Sequence, residues 1–139
     1  MKYEESFGVI PVKKKDTEWE VFLIQHMKGR YWGFPKGHAE EGETQIEAAF
    51  RELKEETNLD PVNCMSMNPF VEHYQFIARG RRVSKRVCYY LAEVKGDVVL
   101  QPEEIYSGTW VSLEEGIEKI THKEGKAILK NVSEILQKI

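Results

Sequence analysis

The segment from Gly37 to Leu59, GHAEEGETQIEAAFRELKEETNL, most constrains what this chain can fold into. A glycine-bearing loop leads into Thr44-Gln45-Ile46-Glu47, which has the form of a capping box and predicts a helix that begins near Thr44. Asn58, a residue type that tolerates positive φ, predicts the end of that helix. Apolar residues at helical spacing predict one buried flank: Ile46, Ala49, Phe50 and Leu53.

Three carboxylates, Glu52, Glu55 and Glu56, stand at positions i, i+3 and i+4 and therefore share one face of this helix. Taken alone, such a pattern is more often a solvated helix face with charge pairs. The preceding glycine loop and Arg51 favour a second interpretation, in which a divalent cation relieves the repulsion between the like charges. Ligation by oxygen alone predicts Mg²⁺, with Mn²⁺ as a substitute, rather than zinc.

Together these residues resemble the Nudix box. The matching positions are Gly37, Glu43, Arg51, Glu52, Leu53, Glu55, Glu56 and Leu59, and Asn58 replaces the late glycine. The resemblance implies an α/β/α sandwich with a central mixed sheet, and hydrolysis of a phosphoanhydride. It implies that the three helix glutamates and the Lys36 carbonyl bind the metal, while Glu43 and Arg51 pair to hold the loop against the helix.

Length and composition predict one domain over residues 1–139. With 20 basic and 23 acidic side chains, the chain is expected to have no stable nucleic-acid or membrane partner. The resemblance implies that it acts on small nucleotides. Cys64 and Cys88 are expected to be free thiols, and His26 and His73 to be structural or exposed. Because no segment has the length of a membrane span and the N-terminus lacks the apolar core of a secretory signal, we expect a cytoplasmic protein. The protein is also expected to be a monomer.

Alternating and continuous apolar patterns predict the remaining elements. The expected strands cover residues 7–12 and 20–25, joined by a polar turn at 13–18, then 71–78, 87–94 and 109–111, and the expected helices cover 113–120 and 123–138. The basic segment ARGRRVSKR is expected to form a positively charged loop between two of these strands. Strands and helices interleave without a linker, which indicates a mixed sheet between helices.

The loop before the box, YWGFPKGH, and the chain as a whole are similar to the asymmetrically cleaving diadenosine tetraphosphate hydrolases. That resemblance implies Mg²⁺-dependent hydrolysis of diadenosine tetraphosphate to ATP and AMP. It puts Phe76 at the position of an adenine-stacking tyrosine, His122 at that of a second stacking aromatic, and Lys85 at that of a phosphate-binding lysine. Stacking needs only an aromatic face, so Phe76 keeps that capacity without the hydroxyl.

Three further residues are candidates for the chemistry. The resemblance aligns Glu104, in PEEIYSGTW, with a glutamate that ligates metal or orients the attacking water; an ordinary loop carboxylate is the equally weighted alternative. His38 is expected to contact a phosphate oxygen or protonate a leaving group. The Lys36 ammonium suits a polyphosphate. Either Glu56 or Glu104 is expected to accept the proton of the attacking water, and the sequence does not decide between them.

Other activities share the same box. An RNA 5′-pyrophosphohydrolase or a pyrophosphatase that sanitises nucleoside triphosphates would use the same metal helix. An ADP-ribose hydrolase is less favoured, because that branch resembles a pattern with proline where this chain has Tyr74. A non-catalytic module that senses nucleotides would typically have lost box carboxylates, and all of them are present here.

Overall fold

The structure is a computed structural model that describes residues 1–139. Its strands are β1 (Lys2–Lys15), β2 (Glu18–His26), β3 (Trp32–Gly33), β4 (Lys36–Gly37), β5 (Asp60–Cys64), β6 (Phe70–Ala78), β7 (Arg81–Lys95) and β8 (Ile105–Ser112). Its helices are α1 (Gln45–Thr57), α2 (Leu113–Lys119) and α3 (Lys123–Gln137).

All strands belong to one mixed sheet. β1 and β7 run parallel, with residues paired from Lys2 and Val83 to Val12 and Glu93, and every other pair of strands is antiparallel. The order is β3-β2-β1-β7-β5, with β8 also paired to β2, β4 to β1 and β6 to β7. β7 therefore pairs with three strands along its length: β1 on one edge, and β5 and β6 on the other.

The first two strands diverge, and this split positions the functional region. β1 and β2 pair only between Val12–Lys15 and Glu18–Val21. Beyond that hairpin, β4 pairs with β1 and β3 pairs with β2. Because each strand has only two hydrogen-bonding edges, the segment from Trp32 to Gly37 must lie in the gap between the diverging strands.

A separate hydrophobic core covers each face of the sheet. Side chains alternate along a strand, and β7 shows the result: Val87 and Tyr89 enter the core beneath α2 and α3, while Cys88 and Tyr90 enter the core beneath α1. Helices thus pack on both faces of a mixed sheet, which confirms the predicted α/β/α sandwich. No helix is long and apolar enough to cross a membrane.

Helix α1 has the predicted limits. The Thr44 hydroxyl accepts a hydrogen bond from the Glu47 amide at 3.2 Å, and the Thr44 amide donates to the Glu47 carboxylate at 2.9 Å. At the other end Asn58 adopts a left-handed conformation with φ of 68°. The two termini therefore satisfy free backbone groups locally, as the sequence predicts.

The prediction of a basic loop between β6 and β7 is wrong. The connection is a two-residue turn at Arg79 and Gly80, whose φ angles of 52° and 74° match the twist of the flanking strands. The remaining basic residues lie on β7: Arg81, Arg82, Lys85 and Arg86. Charge alone does not end a strand when the side chains find solvent or a partner.

Several other boundaries differ from the expectation. β1, β2 and β8 extend beyond their apolar stretches, because backbone pairing with neighbouring strands continues into polar residues. β3, β4 and β5 were not expected, and their formation depends on tertiary pairing rather than on local pattern. The expected helices 113–120 and 123–138 each end one residue earlier. Cys64 and Cys88 are free, as predicted.

Candidate active site

Arg51 ties the glycine loop to α1. Its guanidinium donates two hydrogen bonds to the Glu43 carboxylate, at 2.7 Å and 3.0 Å, and one to the His38 carbonyl at 2.8 Å. A further nitrogen contacts Glu52 and Glu55, at 3.1 Å in each case. The bonds to Arg51 hold the pKa of Glu43 below its usual value. The predicted pairing of Glu43 with Arg51 is confirmed, and its two-point geometry fixes the loop against the helix.

The carboxylates of Glu52 and Glu56 adjoin the Lys36–Gly37 peptide. Glu56 accepts a hydrogen bond from the Lys36 amide at 3.0 Å. A methyl group on Gly37 would lie 2.1 Å from the carboxyl carbon of Glu52, so only glycine permits this approach. The split between β1 and β2 therefore delivers backbone from the loop directly to the acidic face of α1.

Negative charge is concentrated and only partly neutralised here. Burial, followed by the charge of Glu52, raises the pKa of Glu56 to about 8, and the side chain is only 4% exposed. Burial also raises the pKa of Glu52. Glu104 is exposed on the turn before β8, yet its charge raises the pKa of both residues. The structure thus brings Glu104 to the edge of the cluster that Glu52 and Glu56 form.

The chemistry of these groups suits a hard divalent cation. No three acidic, histidine or cysteine side chains are already gathered in a geometry that would hold a metal ion. Arg51 engages one oxygen each of Glu52 and Glu55, which leaves the second oxygen of each carboxylate available. Oxygen donors with uncompensated charge, next to a backbone that a glycine brings close, are the ligands that Mg²⁺ prefers.

An aromatic cavity of about 250 Å³ adjoins this region. Tyr74 and Phe76 form one side, with ring centres 6.0 Å apart, and Tyr31 and His122 form another, with ring centres 5.2 Å apart. The two positions predicted to stack a base, Phe76 and His122, therefore line one cavity. Its size suits a single base or a similar planar group rather than a whole dinucleotide.

Lys36 connects the cavity to the acidic cluster. Its amide contacts Glu56, while its side chain lines the cavity. Burial lowers the pKa of the Lys36 ammonium, and the charges of Glu56 and Glu72 oppose that shift. An ammonium at this junction is suited to a phosphate chain that runs from the cavity towards the carboxylates.

Two predicted residues lie outside the cavity. Lys85 is buried, at 6% exposure, and its ammonium faces the Glu4 carboxylate at 3.6 Å. His38 is exposed, with its ring nitrogen 3.0 Å from the Glu5 carbonyl. Phosphate contact by either residue stays a prediction.

Sequence reasoning missed part of the cavity wall on β6. Glu72, Tyr74 and Phe76 stand at alternate positions of one strand, and all three line the cavity. Because alternate residues of a strand share a face, the assignment of Phe76 could have identified the other two. Burial raises the pKa of Glu72, and the charge of Lys36 opposes the shift.

His26 also lines the cavity. Its ring stacks on Tyr31 with centres 4.3 Å apart, and its Nε2 atom is buried without a hydrogen-bond partner. Burial lowers the pKa of His26 to about 4. His73, the other histidine expected to be structural or exposed, is exposed on the opposite face of β6.

The chain belongs to the Nudix family, since residues 2–132 match the NUDIX domain. It is 33% identical over 127 residues to the asymmetrical bis(5′-nucleosyl)-tetraphosphatase of Rattus norvegicus, and the aligned residues cover 89% of this chain and 85% of that protein. The fold is similar to that of a Caenorhabditis elegans Ap4A hydrolase binary complex, with a TM-score of 0.74, 27% identity, and coverage of 97% of this chain and 98% of the other. An RNA pyrophosphohydrolase of Stenotrophomonas maltophilia is 31% identical over 104 residues, which cover 68% of this chain and 49% of that protein. The prediction of a Nudix hydrolase is confirmed.

Proposed function

We propose that this enzyme hydrolyses diadenosine tetraphosphate to ATP and AMP in a Mg²⁺-dependent reaction. The observation that supports this most is the position of Lys36, which joins a base-sized aromatic cavity to a cluster of carboxylates. A substrate with an aromatic base at one end of a polyphosphate fits both regions at once. The similarity to asymmetrical tetraphosphatases supports the same substrate class.

The metal would be held by the carboxylates of Glu52, Glu55, Glu56 and Glu104 and by the Lys36 carbonyl. When bound, Mg²⁺ supplies charge that polarises a phosphate and lowers the pKa of a coordinated water. Mn²⁺ would substitute, because it accepts the same oxygen donors. Burial, followed by the charge of Glu52, raises the pKa of Glu56, and the charge of a bound cation would lower that pKa.

The side chains of the protein would position the substrate and manage the proton. Phe76 and His122 would stack an adenine, while Lys36 and His38 would balance charge on the leaving polyphosphate. The oxygen of a water molecule forms a bond to phosphorus, a bridging phosphorus–oxygen bond breaks, and the bridging oxygen leaves with one product. Glu56 or Glu104 would accept the proton released by the water.

Lys85 would act differently from the exposed basic residues, because it is buried against Glu4. As the resemblance implies, Lys85 would bind a substrate phosphate, and that contact would compete with its ion pair to Glu4. The enzyme would act as a cytoplasmic monomer on small nucleotides.

An RNA 5′-pyrophosphohydrolase is the second candidate, and the similarity to the Stenotrophomonas maltophilia protein favours it. Nucleotide sanitising would use the same carboxylates. Turnover of diadenosine tetraphosphate, triphosphorylated RNA and 8-oxo-dGTP should therefore be compared with Mg²⁺ and with EDTA. The proposal predicts the highest kcat/KM for the dinucleotide; weak turnover of it beside efficient turnover of the RNA would reverse the order of the candidates.

Glu56→Gln tests the acidic cluster in the same assay. The substitution keeps size and hydrogen bonding, and it should lower turnover by on the order of 10²-fold or more while the protein stays folded. Glu134→Gln, at an exposed position on α3, is the matched control and should leave turnover unchanged. Full activity in Glu56→Gln would show that the reaction does not depend on this carboxylate. A nucleotide sensor would show no turnover in the unmodified protein or in the variant, and both would bind the ligand equally.

A further inference from the structure

Glu72 is a charged residue in a cavity that is otherwise mostly aromatic. It lies on the same face of β6 as Tyr74 and Phe76 and lines the cavity with them. Its carboxylate approaches the backbone of α3, because a methyl group on Gly125 would lie 3.7 Å from Glu72 Oε2. The carboxylate therefore lies between the strand and the start of the helix, beside the space that a stacked base would fill.

This carboxylate has no partner inside the protein. It takes part in none of the salt bridges of the chain, and the groups that act on it, Lys36 and Glu124, do so through their charges alone. The residue is half-buried and neither carboxylate oxygen is fully shielded from solvent, so both are free to accept hydrogen bonds from a ligand in the cavity. A ligand with N–H donors would satisfy both oxygens.

We infer that Glu72 determines base specificity and recognises guanine through its Watson–Crick edge. The N1–H and N2–H groups of guanine are adjacent donors that match the two oxygens of a carboxylate. Adenine presents one amino donor there, next to an unprotonated ring nitrogen whose lone pair would face the carboxylate. His26 Nε2 is a donor or an acceptor according to its tautomer, so it does not by itself favour either purine.

The inference rests on the proposed function only in that it places a base in this cavity. Its consequence is an order of preference within the proposed substrate class, in which dinucleoside polyphosphates that carry a guanosine rank above diadenosine tetraphosphate. Diguanosine tetraphosphate should then have a higher kcat/KM than diadenosine tetraphosphate. Stacking on Phe76 tolerates either purine, so the difference between them must come from polar contacts.

Binding of mononucleotides tests the inference without depending on catalysis. Isothermal titration calorimetry with GMP, IMP and AMP should show GMP binding about tenfold or more tightly than AMP, the range of a good two-point contact to a base. IMP lacks the N2 amino group and should fall between them. Glu72→Gln should abolish the preference for GMP, whereas Glu124→Gln, which removes a neighbouring charge outside the cavity lining, should keep it.

The outcomes separate the two proposals. Equal binding of GMP and AMP by the unmodified protein, measurable binding of neither, or an unchanged preference in Glu72→Gln would each overturn the inference. Because IMP changes the ligand rather than the protein, a folding defect in the variant would not obscure the result. If GMP binds preferentially but neither dinucleotide is hydrolysed, the proposed function fails while the inference stands. If both dinucleotides are hydrolysed equally well and GMP and AMP bind equally, the inference fails while the proposed function stands.

Discussion

Replacing His26 with phenylalanine should make the protein less sensitive to acid. The His26 ring stacks on Tyr31, and its Nε2 atom is buried without a partner. Burial lowers the pKa of this imidazole from 6.5 to about 4, because a charged ring in this position would lose its hydration. Phenylalanine keeps the aromatic stacking and removes the group that takes up a proton.

The size of the effect follows from the two pKa values. Between pH 6.5 and about 4 the unfolded chain binds a proton that folded His26 does not bind, so stability falls as the pH falls through this interval. Each pKa unit corresponds to about 1.4 kcal/mol, and the full shift corresponds to about 3 kcal/mol. Above the unfolded value the histidine is neutral in both states and contributes no pH dependence.

Urea denaturation at about pH 7.5 and about pH 4.5 measures this term. The loss of unfolding free energy between the two conditions should be about 2 to 3 kcal/mol smaller for His26→Phe than for the unmodified protein. His73→Phe is the matched control, because it makes the same substitution at an exposed position. Equal losses in His26→Phe and the unmodified protein would show that the folded protein accepts the proton and that the ring is not buried as described.

Three other substitutions test the construction of the site and the core. Gly37→Ala should lower turnover on the order of 10²-fold, because its methyl group would displace the Glu52 carboxylate. Steady-state kinetics measures the effect, with circular dichroism as a folding control, and a normal kcat/KM would contradict the prediction. Arg51→Lys should lower the thermal midpoint and the turnover together, since an ammonium cannot reproduce the two-point contact with Glu43; unchanged melting would mean that the loop is held by other contacts. Leu129→Ala, at a fully buried position on the inner face of α3, should cost about 2 to 5 kcal/mol of stability in urea denaturation, and a loss below about 1 kcal/mol would show that the core closes around the missing side chain.

The helix of the box and its capping were predictable because their causes are local. Thr44 and Glu47 satisfy each other's backbone groups, and the spacing of Glu52, Glu55 and Glu56 fixes their common face. The sandwich followed from the resemblance and from apolar patterns that each bury one face of an element. What the pattern did not give is the deep burial of Glu56, which depends on the Lys36 segment entering the gap between β1 and β2.

The cavity was harder to predict, since its wall is drawn from distant parts of the chain. Tyr31 and His122 meet only because a loop near the split sheet packs against the start of α3. Local sequence pattern carries no information on such a meeting, whereas Glu72 and Tyr74 were accessible by alternation from Phe76. The short strands β3 and β4 were not predicted, because an element of two residues has no periodicity to detect.

The two sides of the cavity differ in how firmly the sheet holds them. One side is formed by Tyr31 and His122. Their chain neighbours, Trp32 and Thr121, are joined by two hydrogen bonds of 2.8 Å and 3.2 Å, which hold this side firmly. The other side is the outer half of β6, which forms backbone hydrogen bonds with β7 alone and ends in a tight turn. A strand with hydrogen bonds along one edge only is less constrained than a strand paired along both edges, so the outer half of β6 is the less firmly held side of the cavity.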